Sequence, residues 1–332
     1  MNALRIGLVG TGFIAEWHLK GFKNQPDASI TGWCRDLHGS EAEKDVQRKG
    51  LQAQCRELGL THYESFSEMV ADPDIDAVII GSINQMHYPQ ILEALNAGKH
   101  LLVEKPVVME EKQVDEIKKI SKDKDLVVFP GHNFAYRGAV RQAKEILLNG
   151  GIGEVTHASF VSTHAISEAH QRGWRARRSE SGGGALMDSG HHLVYQVLYL
   201  LGMPALLQAF TSTLTLKSME CEDTALVNMR YANGTMCVVM QSWASNWGDG
   251  VNGIRIVGNA GNLIITDALY HSGTVIGRDT EYGNSFVNQA SAFAEAILKG
   301  TKPLSTLDDA RNTLKIVHSA YQSAKENSVV SL

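Results

Sequence analysis

Cysteine is scarce. The four present in 332 residues, Cys34, Cys55, Cys221 and Cys237, are widely spaced and include no C-x-x-C pair. That spacing builds neither a disulfide frame nor a zinc site, and it suits free thiols in a reducing compartment. Cys34, Cys221 and Cys237 fall in strand-like runs, where packing is the ordinary role of a thiol. Blocks of Lys or Arg are also missing and the net charge is −5, so nothing marks a nucleic-acid or anionic-membrane partner. The longest apolar stretch, 193–210, is interrupted by Gln196, Gly202, Pro204 and Gln208, which excludes a membrane span. Internal repeats and low-complexity linkers are absent too.

What is present is the composition of a soluble globular protein, 43% apolar and 20% charged. The length exceeds one ordinary core and suits two domains. The opening MNALRIGLVGTGFIA has the look of a secretion leader, but its apolar run is short and turns at once into a glycine fingerprint. It therefore reads as a first strand, and the expected location is cytoplasmic.

Residues 1–130 alternate strand and helix signals. Strands are expected at 4–9, 29–34, 76–80, 100–103 and 126–129, with a helix over 89–97 closed by Gly98. Short Val/Ile/Leu runs between helices describe a doubly wound parallel sheet. From 131 to 332 the pattern becomes α+β on a large, mainly antiparallel open sheet. Helices are expected at 139–148, 186–200, 286–298 and 308–324, with strands at 155–162, 205–213, 225–231, 236–243, 254–257 and 263–266. Asn233-Gly234 and Gly261-Asn262 read as hairpin turns.

Five stretches carry chemistry. Gly10-Thr11-Gly12-Phe13-Ile14-Ala15 is a G-x-G-x-x-A fingerprint between the first strand and a helix, the context in which it cradles a dinucleotide pyrophosphate. At the end of the second strand stand Arg35 and Asp36. A carboxylate there binds a ribose hydroxyl of NAD, and an arginine accommodates the 2′-phosphate of NADP. Arg35 comes first and leans the choice slightly to NADP. Ser82, Asn84 and His87 follow another buried strand and are expected beside the cofactor. Glu104-Lys105-Pro106 ends a further strand, where the Lys105 ammonium can polarise a substrate hydroxyl and stabilise its alkoxide. Finally, a glycine run leads into Asp188-Ser189-Gly190-His191-His192. Placed at i and i+4 of one helix, Asp188 and His192 share a face and offer a carboxylate-assisted base. His191 and His192 point about 100° apart, a poor chelate, so no metal is expected.

Together G-T-G-F-I-A, D-I-D-A-V-I-I, A-G-K-H-L-L-V-E-K-P, W-R, G-G-G and D-S-G-H-H resemble the Gfo/Idh/MocA oxidoreductase family over essentially the whole chain. The resemblance implies an N-terminal Rossmann domain and a C-terminal domain whose open sheet faces a partner subunit, hence a homodimer or homotetramer. It implies NAD or NADP as cofactor and hydride transfer at a secondary hydroxyl of a sugar, sugar derivative or inositol. Lys105, Asp188 and His192 take the catalytic places, Glu104 and Lys105 border the cofactor, and Asn133, Trp174, Arg175, Asp188 and His192 line the substrate pocket. Tyr195, Ala135 and Ile83 depart from the family pattern and bear on substrate identity. Two further functions fit the same motifs: an NAD-dependent glycosidase working by transient oxidation, and a non-catalytic NAD(P)-binding regulator.

Overall fold

The computed structural model describes residues 3–244 and 251–332. The chain begins β1 (Leu4–Val9), α1 (Phe13–Phe22), β2 (Ala28–Cys34), α2 (Glu41–Leu58), β3 (Thr61–His62), α3 (Phe66–Ala71), β4 (Ala77–Ile80), α4 (Asn84–Asn96), β5 (His100–Glu104), α5 (Glu111–Asp123) and β6 (Val128–Gly131). The strands form one parallel sheet in the order β3-β2-β1-β4-β5-β6. This is the strand order of a dinucleotide-binding fold, whose ligands lie off the carboxyl edge where the order reverses between β1 and β4. All four residues of β4 and all but the first of β5 are buried, which is why these runs lack polar alternation.

Three features differ from the sequence expectation. Helix α4 begins at Asn84, five residues before the proline taken as its start. Pro89 deprives only one carbonyl of a donor, that of the exposed residue Gln85. Helix α2, capped by Ser40 and Glu43 in a reciprocal capping box, carries too few apolar residues to announce itself. Third, the unit ending at Gly131 also contains Gly283–Leu307, a stretch the sequence reading left in the second domain. The cause is aromatic packing. Phe286 stacks on Trp17 and meets His18 edge-on, while Phe293 meets Phe22 and Phe129.

The second unit, His132–Tyr282 with Asp308–Leu332, contains α6 (Gly138–Leu148), β7 (Val155–Thr163), α7 (Glu168–Arg172), α8 (Arg178–Ser181), α9 (Ser189–Leu201), β8 (Leu206–Ser212), β9 (Thr224–Arg230), β10 (Met236–Ser242), β11 (Gly253–Gly258), β12 (Gly261–Ile265), β13 (Leu269–His271) and β14 (Thr274–Gly277). After α10 (Tyr282–Lys299) of the first unit come α11 (Leu307–Glu326) and β15 (Val330–Ser331). Nine strands pair as β14-β13-β12-β11-β7-β10-β9-β8-β15. Of the registered pairs only β7 with β10 is parallel.

Asn233-Gly234 does make the β9–β10 turn, with Gly234 at φ +91°. The β11–β12 hairpin turns instead on Asn259 and Ala260, because Gly258 pairs with Gly261. Helix α9 packs on β7 and β10. Away from it the sheet presents Phe210 and Met236, both at least half exposed. Leu206, Gln208, Asn228, Met236, Val238 and Val329 line an apolar concavity of about 560 Å³ on this sheet. Among the described residues no helix is long and apolar enough to cross a membrane.

Candidate active site

In the first unit the glycine turn is fixed by close approach. Gly10 has φ +101°, and a Cβ there would lie 2.3 Å from the Gly81 carbonyl oxygen, so no other residue fits. Trp33, one strand away, donates its indole N–H to the Gly10 carbonyl at 2.7 Å. No sequence motif marks Trp33; the contact follows from the pairing of β1 with β2. Gly12 is the opposite case. It caps α1 without a side-chain hydrogen bond, and nothing lies within 4 Å of where its Cβ would be. That open space above a helix N-terminus fits a dinucleotide pyrophosphate. Thr11 is half-buried, Phe13 is exposed beside it, and Ile14 packs toward Gly81.

At the end of β2, Asp36 accepts from the Gln90 amide at 3.1 Å, and Gln90 in turn accepts the Ser82 hydroxyl at 2.6 Å. The carboxylate is thereby aimed. Arg35, half-buried, keeps a buried Nε without a hydrogen-bond partner, and burial lowers its pKa. Asn84 is buried at the start of α4.

His87 is tightly held. Its two ring nitrogens meet the carbonyls of Pro106 (2.8 Å) and Ser82 (3.1 Å), and burial holds its pKa below the ordinary value. It braces two loops. Glu104 is likewise committed: its carboxylate bonds His18 of α1 at 2.8 Å and takes the Lys105 N–H at 3.3 Å. Lys105 itself is half-buried at the end of β5.

In the second unit, Asp188 is not inside a helix. It is the N-cap of α9, with φ −88° and ψ −85°, so the expected i,i+4 arrangement with His192 does not form. The buried carboxylate of Glu222 is the reason. It accepts from the Gly184 and Leu186 N–H groups at 3.0 and 2.9 Å, holding this stretch in a turn, and from the Tyr321 hydroxyl at 2.8 Å.

The Asp188 carboxylate takes the Arg175 Nε–H at 2.7 Å, and the Arg175 guanidinium lies 4.3 Å from the Trp174 ring centre. Ser189, next in the chain, receives the Trp243 indole N–H at 2.9 Å and lies 3.4 Å from His164 Nε2. His164 and His170 both feel the Asp188 charge, and burial depresses the pKa of each. Neither histidine was foreseen, because each stands alone in sequence. The His192 ring stacks on Phe134 at 4.3 Å and 15°. Fully buried His132 lies between Tyr195 (4.1 Å) and His191 (5.4 Å). Asn133 is buried beside them in sequence. Among the described residues no group of three or more His, Cys, Asp or Glu could hold a metal ion.

Residues 4–132 match the model "Oxidoreductase family, NAD-binding Rossmann fold", and residues 140–264 match "GFO/IDH/MocA C-terminal domain". The chain belongs to the Gfo/Idh/MocA oxidoreductase family. Among relatives of this Gfo/Idh/MocA protein, 1,5-anhydro-D-fructose reductase of Ensifer adhaerens is 27% identical, covering 92% of this chain and 91% of its own. Myo-inositol 2-dehydrogenase of Thermotoga maritima is 24% identical over 99% and 98% of the two chains. A solved levoglucosan dehydrogenase in complex with NADH and levoglucosan superposes with a TM-score of 0.85, at 21% identity over 99% of each chain. This likeness establishes the fold. Family membership makes the first unit an NAD-binding one and the chain an oxidoreductase.

Proposed function

We propose that the protein moves a hydride between NAD and a secondary hydroxyl of a sugar, sugar derivative or inositol, with Lys105, Asp188 and His192 acting on one substrate. One observation carries this reading. In the segment Asp188–His192 the carboxylate is aimed by Arg175 and the imidazole is fixed by Phe134, a preorganised acid–base set rather than solvated charges. The nicotinamide, when bound, supplies the hydride acceptor.

The chain's own residues handle the proton and the developing charge. His192 accepts the hydroxyl proton as the carbon–oxygen double bond forms. Lys105 donates a hydrogen bond to the same oxygen and offsets its negative charge, and these two roles are open to exchange. Asp188, its own charge balanced by Arg175, borders the substrate. Asn133, Trp174 and Arg175 border the substrate.

Asp36 and Arg35 select the cofactor. The sequence order leans to NADP, but Asp36 is held in place by Gln90, and a fixed carboxylate favours a ribose diol and repels a 2′-phosphate. NADH and NAD stand in two of the related structures. We therefore assign NAD. The test is a panel of inositols, hexoses and sugar derivatives with NAD⁺ and NADP⁺, followed at the reduced-nicotinamide absorbance. Net NADH from at least one polyol is expected. A cofactor-loaded protein that hydrolyses glycosides with no net NADH would replace this reading by the glycosidase one. Asp36→Ser is expected to raise the NADP⁺/NAD⁺ ratio of kcat/KM by about tenfold or more; an unmoved ratio would remove Asp36 from selection.

The exposed apolar sheet face bearing Phe210 and Met236 supports a homodimer or homotetramer. Sedimentation of a monomer at micromolar concentration would refute this.

A further inference from the structure

Phe134 has a partner on each side. The His192 imidazole stacks parallel to it at 4.3 Å, and the Arg137 guanidinium carbon lies 3.9 Å from its ring centre. Two groups this close to one ring centre cannot share a face, so imidazole and guanidinium hold opposite faces. Tyr282 closes the edge at 5.7 Å and 87°. The guanidinium is held where water is scarce. Its Nε is buried without a hydrogen-bond partner, and desolvation lowers its pKa while Tyr282 and Asp279 pull the other way. Asp279 is itself occupied, accepting the Gly138 N–H at 3.0 Å. An arginine keeps its charge even so, and a poorly screened charge acts strongly on its neighbours.

We propose that Phe134 and Arg137 are positioning residues for His192. The phenyl ring fixes the plane of the imidazole, and the cation behind it disfavours the imidazolium, keeping the ring ready to accept a proton near neutral pH. This rests on the reading of His192 as proton acceptor.

Of the other charged groups, Lys105 is assigned above to the same substrate oxygen and, like Arg137, disfavours the imidazolium. Asp188 caps the helix that carries His192 and is paired with Arg175. His191, the neighbour in sequence, stacks toward His132. His164, following β7, bonds Ser189. Arg141, Lys144 and Glu145 of α6 act at Tyr199, two turns further along α9.

The test combines NMR titration of ¹³C-labelled histidines, with His192 assigned from its loss in H192A, and pH profiles of kcat/KM. In R137M the His192 pKa and the acid limb of the profile are both expected to rise by about 0.5–1 unit, and R137K, which keeps the charge, is expected to restore them. F134A is expected to lower kcat by about tenfold or more with a smaller change in KM, and F134Y to recover most of it. An unchanged His192 pKa in folded R137M, or wild-type kcat in F134A, overturns the proposal. Near-normal turnover by H192A would instead overturn the proton role of His192, and the NMR titration still decides the electrostatic claim.

Discussion

Lys105→Ala is expected to lower kcat by about 10²–10⁴-fold, the usual worth of a positioned proton-handling or charge-stabilising group. Thermal stability should stay close to wild type. Lys105 is half-buried at a strand end, and its backbone N–H keeps the Glu104 carboxylate whatever the side chain. Lys105→Arg should not rescue, because a planar guanidinium places its charge and donors differently from a compact ammonium. Stopped-flow and steady-state rates on the substrate found in the panel check both variants. Near-normal turnover by the alanine variant would dismiss the lysine from the chemistry.

Gly184→Ala should act through the backbone. A Cβ at this position would lie 2.0 Å from the Glu222 carbonyl oxygen and 2.8 Å from its nitrogen. Backbone cannot swing away as a side-chain tip can, so the turn must open. Opening it strains the two N–H bonds to the Glu222 carboxylate. The expected cost is about 3 kcal/mol or more, lowering Tm by about 6 °C or more for a unit of this size. Activity should fall as well, since this turn sets the position of Asp188. Calorimetry showing a wild-type Tm would mean that the turn relaxes freely and that Glu222 does not hold it.

The glycine run shows where sequence reading reaches its limit. Its existence and its place before Asp188 are plain in the sequence. Its purpose is not, since Gly183 and Gly184 give way to Tyr321 and Glu222, 138 and 38 residues further along the chain. Hydrophobic patterning found eleven of the fifteen described strands because buried strands declare themselves locally, and it missed the short strands β3, β13, β14 and β15. The same patterning extended Asp188 into a helix, since nothing nearby reveals that a distant carboxylate takes the first N–H groups. Asp36 was found from its place at a strand end, while its partner Gln90 was invisible among the polar residues of α4. His87 shows a different limit. Its neighbourhood to the cofactor edge was legible, but two carbonyls claim its ring nitrogens. His164 and His170 come under the influence of Asp188 only through tertiary folding.

The return of Gly283–Leu307 to the first unit bears on how such proteins can be recombined. The cofactor-binding half is not a contiguous cassette. A cut at Gly131 would strip Trp17, Phe22 and Phe129 of the wedge formed by Phe286 and Phe293. Grafting that half between homologues therefore takes two separate stretches of chain transplanted together, matched to each other at those aromatic rings.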